Sequence, residues 1–270
     1  VYAARHRVGD LVGVAAVSTA LTFLVTGVAT LFLPLWAGLT GGAMGVAYQR
    51  RREAYLAFSA GMAATLFSFL ALLVLMNVLF SINLLAEMRS LMEESLRMSQ
   101  SLLGSMGIES TDDAVFHQLP DMFVRMFPFL LFIFAATVSF LVHWIGGTIL
   151  RRLGTPAPRL PAFHTWRFPQ ILLFLYLPVL LYMMVPAESR WEPLEPVLMN
   201  LSPAFEVLFI IQGLSFVFFL CEHGKLHKSL RVVAVAGLLL PPFSLLFTLV
   251  LSILGIVDVG FPLRERILSS

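Results

Sequence analysis

Charge is what this chain has least of. Only 13% of its 270 residues are Asp, Glu, Lys or Arg, against about 25% in a soluble domain. So little polar surface does not coat a globule in water. Cysteine is nearly absent as well. The single Cys221 excludes an internal disulfide framework, and at an expected helix end it reads as an apolar filler. Catalytic signatures are missing: there is no HExxH zinc helix, no GxSxG elbow and no Walker A loop. The chain is therefore expected to be no enzyme, to lack an ATPase of its own, and to take no cofactor or metal. His223 and His227 stand four apart with Glu222 beside them, but the segment reads as a basic loop. Nothing resembles a nucleic-acid motif, because the basic residues fall in short loops.

What the chain has is apolar sequence, 59% of it hydrophobic with a mean hydropathy of +0.88. Several runs reach the roughly 18 residues that cross about 30 Å of hydrocarbon. The expected fold is an all-α polytopic transmembrane bundle of about seven crossings, six to eight, in one integral membrane domain over 1–270. Its parts are N-terminal helices over 11–84, an outer amphipathic segment over 85–121, and C-terminal helices over 122–257. Segment one, 11–33, stops at Pro34. It is too long for a signal-peptide core and more spans follow it. Segment two, 35–48, is short and glycine-rich, a crossing or a re-entrant arm. Segments three to seven cover 54–84, 122–150, 168–185, 197–220 and 232–257. Pro241 and Pro242 kink or split the last one.

The loops orient the chain. Arg5 and Arg7; Arg50, Arg51 and Arg52; Arg151, Arg152, Arg159 and Arg167; and Lys225, Lys228 and Arg231 occupy every second loop if segment two crosses. The alternate loops, 87–113 and 188–195, are acidic. The positive-inside rule then puts the N-terminus in the cytoplasm of a bacterial plasma membrane. Arg264 and Arg266 are the exception, since seven crossings leave them outside. Either the tail tolerates them beside Asp258 and Glu265, or segment seven is a hairpin. Along 85–106, apolar Leu85, Met88, Met92, Leu96, Leu103 and Met106 share one helical face, with a Glu93–Arg97 pair off it. This is an amphipathic helix on the outer surface, or a continuation of segment three into water.

The candidate site residues are polar groups at membrane depth. Ser18, Thr22, Thr26 and Thr30 form a hydroxyl stripe on segment one, a packed face or a cavity wall. Asn200, Glu206 and Gln212 lie on segment six; with Thr22 and Thr26 they are the expected solute-binding set. Ala16 and Ala20, spaced small-xxx-small, are the expected partner-docking face, a spacing that Gly41 and Gly45 repeat on segment two. Trp144, Trp166 and Arg167 read as membrane-interface anchors. His143, beside Trp144, reads as an interface residue. Asp258 with Arg264 or Arg266 reads as a terminal ion pair, or as simple capping and anchoring.

Three motifs carry a resemblance. The first is Arg152-Leu153-Gly154 with Pro161, Phe163, Trp166, Arg167 and Pro169. The second is Asn200 with Gln212-Gly213-Leu214. The third is Gly255, Asp258, Phe261 and Arg264. In their order and spacing over about 150–266 they resemble the YybS-like bacterial membrane proteins, a domain of unknown function. The N-terminal layout is distantly similar to the substrate-binding subunits of energy-coupling-factor transporters, where an Ala-xxx-Ala pattern docks the coupling subunit. Ala16 and Ala20 match that pattern, while the long outer segment and the seventh helix depart from it. The expected function is a transporter-type subunit that binds a small solute in the bilayer and depends on a membrane partner or coupling subunit. The alternative is a scaffold that recruits membrane proteins through small-residue helix faces.

Overall fold

The computed structural model describes the chain apart from residues 7, 28, 29, 51, 52, 107–112, 156, 187, 188 and 270. Arg7, Arg51, Arg52, Glu109, Asp112 and Glu188, which the charge reading used, lie outside the described residues. Among those that are described there is no strand. The helices are α1 Val8–Thr26, α2 Phe32–Arg50, α3 Ala54–Phe80, α4 Leu84–Ser105, α5 Asp113–Arg125, α6 Phe127–Arg152, α7 Ile171–Met183, α8 Glu195–Glu222, α9 Leu230–Leu239, α10 Pro241–Gly260 and α11 Leu263–Ser269. Short 3-10 turns cover Tyr2–Ala4 and Phe163–Thr165. Among the described residues five helices are long and apolar enough to cross a membrane: α1, α3, α6, α8 and α10. α7 and α9 are apolar but shorter. α2 has 19 residues, about 28 Å at 1.5 Å per residue, so it has the length of a crossing.

Several boundaries differ from expectation for local reasons. Segment one ends at Thr26 rather than at Pro34. Gly27 takes φ +76 and its N–H bonds the Phe23 carbonyl, the left-handed exit that glycine adopts freely. Pro34 instead lies in the first turn of α2, where a missing N–H costs nothing. Segment three does not run on into water. Ser81 turns left-handed at φ 56, and Asn83 Oδ1 then accepts from the N–H groups of Leu85 and Ala86 at 3.1 and 3.2 Å. That N-cap starts α4 as a separate helix. Glu93 pairs with Arg89 at 3.1 Å, one turn before the expected Arg97. Arg89 also reaches Asp121 at 3.0 Å, which ties α4 to α5. Segment four begins at Phe127, because Pro128 suits a first turn and α5 precedes it. Segment seven is split: Leu240 is extended, and Pro241 opens α10 as a new helix.

The chain divides into two compact units, Val1–Leu160 and Pro161–Ser270. The expected internal divisions at 84 and 121 both fall inside the first. There α2 packs on α3, α3 on α6, and α1 along α2. Small residues set the approach: Gly38 meets Ala15, Gly42 meets Leu11, and Gly61 meets the Met44 side chain. The rings of Phe32, Trp36, Phe69 and Phe134 stack between the helices. In the second unit α8 is the central post. Tyr176 on α7 packs against Phe205 and Phe209. Leu251 shares a cluster with Val217 and Cys221, and Val259 shares one with Leu198 and Phe205. α10 therefore runs antiparallel to α8.

A buried ionic cluster as the candidate functional site

Glycine makes the site. Gly213 on α8 and Gly255 on α10 face each other so closely that a Cβ on either would collide with the other helix's backbone, at the Leu251 or the Phe209 carbonyl. Backbones in direct contact leave room only for side chains that point along the seam. Beside this contact, Gln212, Ser215 and Asp258 are each 0% exposed and Arg264 is 6% exposed. Gln212 donates through Nε2 to Asp258 Oδ2. Arg264 approaches the same carboxylate with Nε, 2.9 Å from Oδ1, and with one terminal nitrogen, 2.6 Å from Oδ2. This two-pronged contact is the strong form of the Arg–carboxylate pair.

The turn before α7 closes the cluster from the other side. Arg264 donates to the His164 carbonyl at 2.8 Å and to Ser215 Oγ at 3.2 Å. The Ser215 hydroxyl lies 2.9 Å from both the Phe163 and the Trp166 carbonyls. The Phe168 N–H donates to Gln212 Oε1 at 2.9 Å. The guanidinium also lies over the rings of Phe219 and Phe216, at 5.1 and 5.8 Å, where the ring faces favour a cation. A buried charge is tolerated when it is paired and its donors are used. Both conditions hold here. The cluster is closed, so its chemistry is to fasten α11 and the 163–168 turn onto α8.

The other sequence candidates make local contacts of their own. Thr22 and Thr26 hydroxyls bond the Ser18 and Thr22 carbonyls of their own helix at 2.8 Å each. Glu206 is exposed on α8. Asn200 donates to the Pro196 carbonyl at 2.7 Å. Of the five expected solute-binding residues only Gln212 enters the cluster. Ala16 and Ala20 are exposed. Trp144 is exposed on α6. Trp166 donates to the Pro161 carbonyl at 3.0 Å, and Arg167 pairs with Glu265 at 2.9 Å. His143 is not an interface residue. It is buried, and its Nδ1 lies 2.6 Å from the Tyr48 hydroxyl. It faces Tyr48 on α2, while its neighbour Trp144 is exposed. His223 and His227 are occupied locally, near the Phe219 carbonyl and the Ser229 hydroxyl. Sequence reading missed Ser215, while the ion pair expected of Asp258 with Arg264 or Arg266 forms with Arg264. The signal was present in the spacing of Gln212 and Ser215, three apart on one helical face.

An all-helical chain with five long apolar helices and an ion pair sealed between two of them is a polytopic membrane protein. It belongs to the family described as "Predicted membrane protein (DUF2232)", which matches residues 1–259. The chain is similar to the "Uncharacterized protein YybS" of Bacillus subtilis (strain 168), 26% identical over 269 residues, covering 98% of this chain and 85% of that one. No solved structure matches. The three motifs that carried the family resemblance meet in space at the cluster: Phe163 and Trp166 from the first, Gln212 and Gly213 from the second, Gly255, Asp258 and Arg264 from the third.

Proposed function

We propose that the protein is a non-enzymatic subunit of a bacterial plasma membrane that acts by binding another membrane protein through α1. The alternating charge of the loops supports a cytoplasmic N-terminus. One observation carries the docking reading. α1 lays Leu11 and Ala15 against Gly42 and Gly38 of α2, while Ala16 and Ala20 on another face are exposed. Small residues at that spacing let a second helix backbone come close in lipid, and among the described residues both stay exposed. The double variant Ala16→Leu/Ala20→Leu is expected to lose co-purifying membrane partners by tenfold or more while its unfolding temperature stays unchanged. Undiminished partner recovery from the folded variant sinks this reading.

The solute-binding reading has one observation of its own. A cleft of about 140 Å³ between α2 and α6 is lined by Trp36, Ala37, Thr40, Gly41, Val138 and Val142. Its walls are mostly apolar, and the Thr40 hydroxyl is already bonded to Thr65 at 3.0 Å, so it suits a small apolar molecule. Such a ligand raises the unfolding temperature of the native chain and has no effect on Gly41→Leu. A broad thermal-shift screen without that pattern removes the reading.

A further inference from the structure

The end of the chain is held by the turn that precedes α7. Arg264 bonds the His164 carbonyl, and Glu265 pairs with Arg167 at 2.9 Å. We infer that the C-terminal residues lie on the same side of the membrane as that turn, and that α9 and α10 together enter the bilayer and return instead of adding a crossing.

Depth along α8 is the first argument. α10 runs antiparallel to α8, from the Val217–Cys221 level at Leu251 toward the Phe205 level at Val259. Its last turn meets Gln212 and, through Arg264, Ser215. Those residues lie only about 15 Å and 10 Å from the Glu222 end of α8 at 1.5 Å per residue. α10 has 20 residues, about 30 Å, the length of a crossing. But Leu251 is already at the Val217–Cys221 level. The first half of α10 therefore lies beyond that level, and its end stops beside the middle of α8, level with the start of α7.

The break at Pro241 is the second. α9 has 10 residues, and the Leu240 bend takes the chain off its axis. Gly237 then faces the Phe247 ring of α10 so closely that a Cβ would collide with it. α9 folds against α10, and Ala234 joins Val217, Cys221 and Leu251 in one cluster. The broken segment is a compact re-entrant pair at one end of α8.

Charge is the third. Glu265 has 70% of its side chain exposed and Arg167 33%. An ion pair this open belongs in water or headgroups, not in hydrocarbon. Arg264 and Arg266 then stand on the side of Arg167, Lys225, Lys228 and Arg231. The exception to the charge pattern disappears, and six crossings with a re-entrant pair account for every described basic cluster.

Single cysteines in the full chain, in a Cys221→Ser background, test this. Thr165→Cys, Leu268→Cys and Trp191→Cys are labelled with a membrane-impermeant maleimide in intact cells and in inverted vesicles. Thr165→Cys and Leu268→Cys are expected to label from one side and Trp191→Cys from the other. Leu268→Cys labelling together with Trp191→Cys overturns the inference. The absolute side rests on the orientation proposed above, but the comparison does not: if all three reverse, that orientation fails and the shared side stands. A short bis-thiol crosslinker on Arg167→Cys/Glu265→Cys checks the native contact. Intramolecular crosslinking is expected, and none in folded protein also overturns the inference.

Discussion

Asp258 and Arg264 show how one residue's meaning depends on its partner. Each is costly at depth alone, and together they are closed by Gln212, Ser215 and the His164 carbonyl. Removing one member leaves the other buried and unpaired, which costs about 3–5 kcal/mol. Asp258→Ala and Arg264→Ala are each expected to lower the unfolding free energy in detergent by that amount, read from the shift in the denaturation midpoint. Asp258→Leu/Arg264→Met is expected to recover most of the loss, since buried pairs and apolar replacements of similar volume are often close in stability. A double variant no better than the singles would contradict this. Asp258 and Gln212 were legible in the sequence as polar groups in apolar surroundings. That they bond each other was not, because 46 positions separate them and only packing of α8 on α10 chooses the partner. His143 misled for the same reason. Its neighbour Trp144 suggested a surface, while about 100° of helix rotation between neighbours leaves Trp144 exposed and turns His143 toward Tyr48.

At the scale of elements, close helix approach depends on particular glycines. Gly213 and Gly255 sit backbone to backbone, so Gly213→Ala must push α8 and α10 apart and loosen the cluster beside them. A loss of at least about 2 kcal/mol is expected, within the range for overpacked cores. Gly41, whose Cβ would meet nothing within 4 Å, is the control: Gly41→Ala is expected to be neutral or slightly stabilising, since Ala favours helix by about 1 kcal/mol over Gly. Equal effects at both positions in an unfolding titration would show that the seam is not the cause. Helix existence was readable from apolar run length. Helix ends were less so. The Ser81–Asn83 break rests on a left-handed serine and an Asn cap, a weak signal in sequence. α5 went unseen because Pro120 within it suggests an interruption.

For the whole molecule, the chain divides into two compact units between 160 and 161, in a stretch rich in proline. Each unit carries its own polar anchors: Tyr48–His143 and Thr40–Thr65 in the first, the ionic cluster in the second. Fragments 1–160 and 161–270 are therefore each expected to insert and resist mild protease when co-expressed. Rapid degradation of the second fragment, whose cluster lies wholly within it, would show that the division is not one of stability. The one misfit in the loop charges, at Arg264 and Arg266, fell where the helix count depends on tertiary contacts.

Composition and run length alone determined that this chain is a multi-pass helical membrane protein, because apolar helices of bilayer length have no other stable solvent. Motif spacing was enough for the family. Tertiary structure alone decided that Gln212, Ser215, Asp258 and Arg264 form one closed cluster, and that the proline break folds α9 back on α10. Both depend on which helix faces touch. Hydropathy does not encode that choice, because every apolar face suits lipid equally well; glycine contacts and buried charge pairing make it.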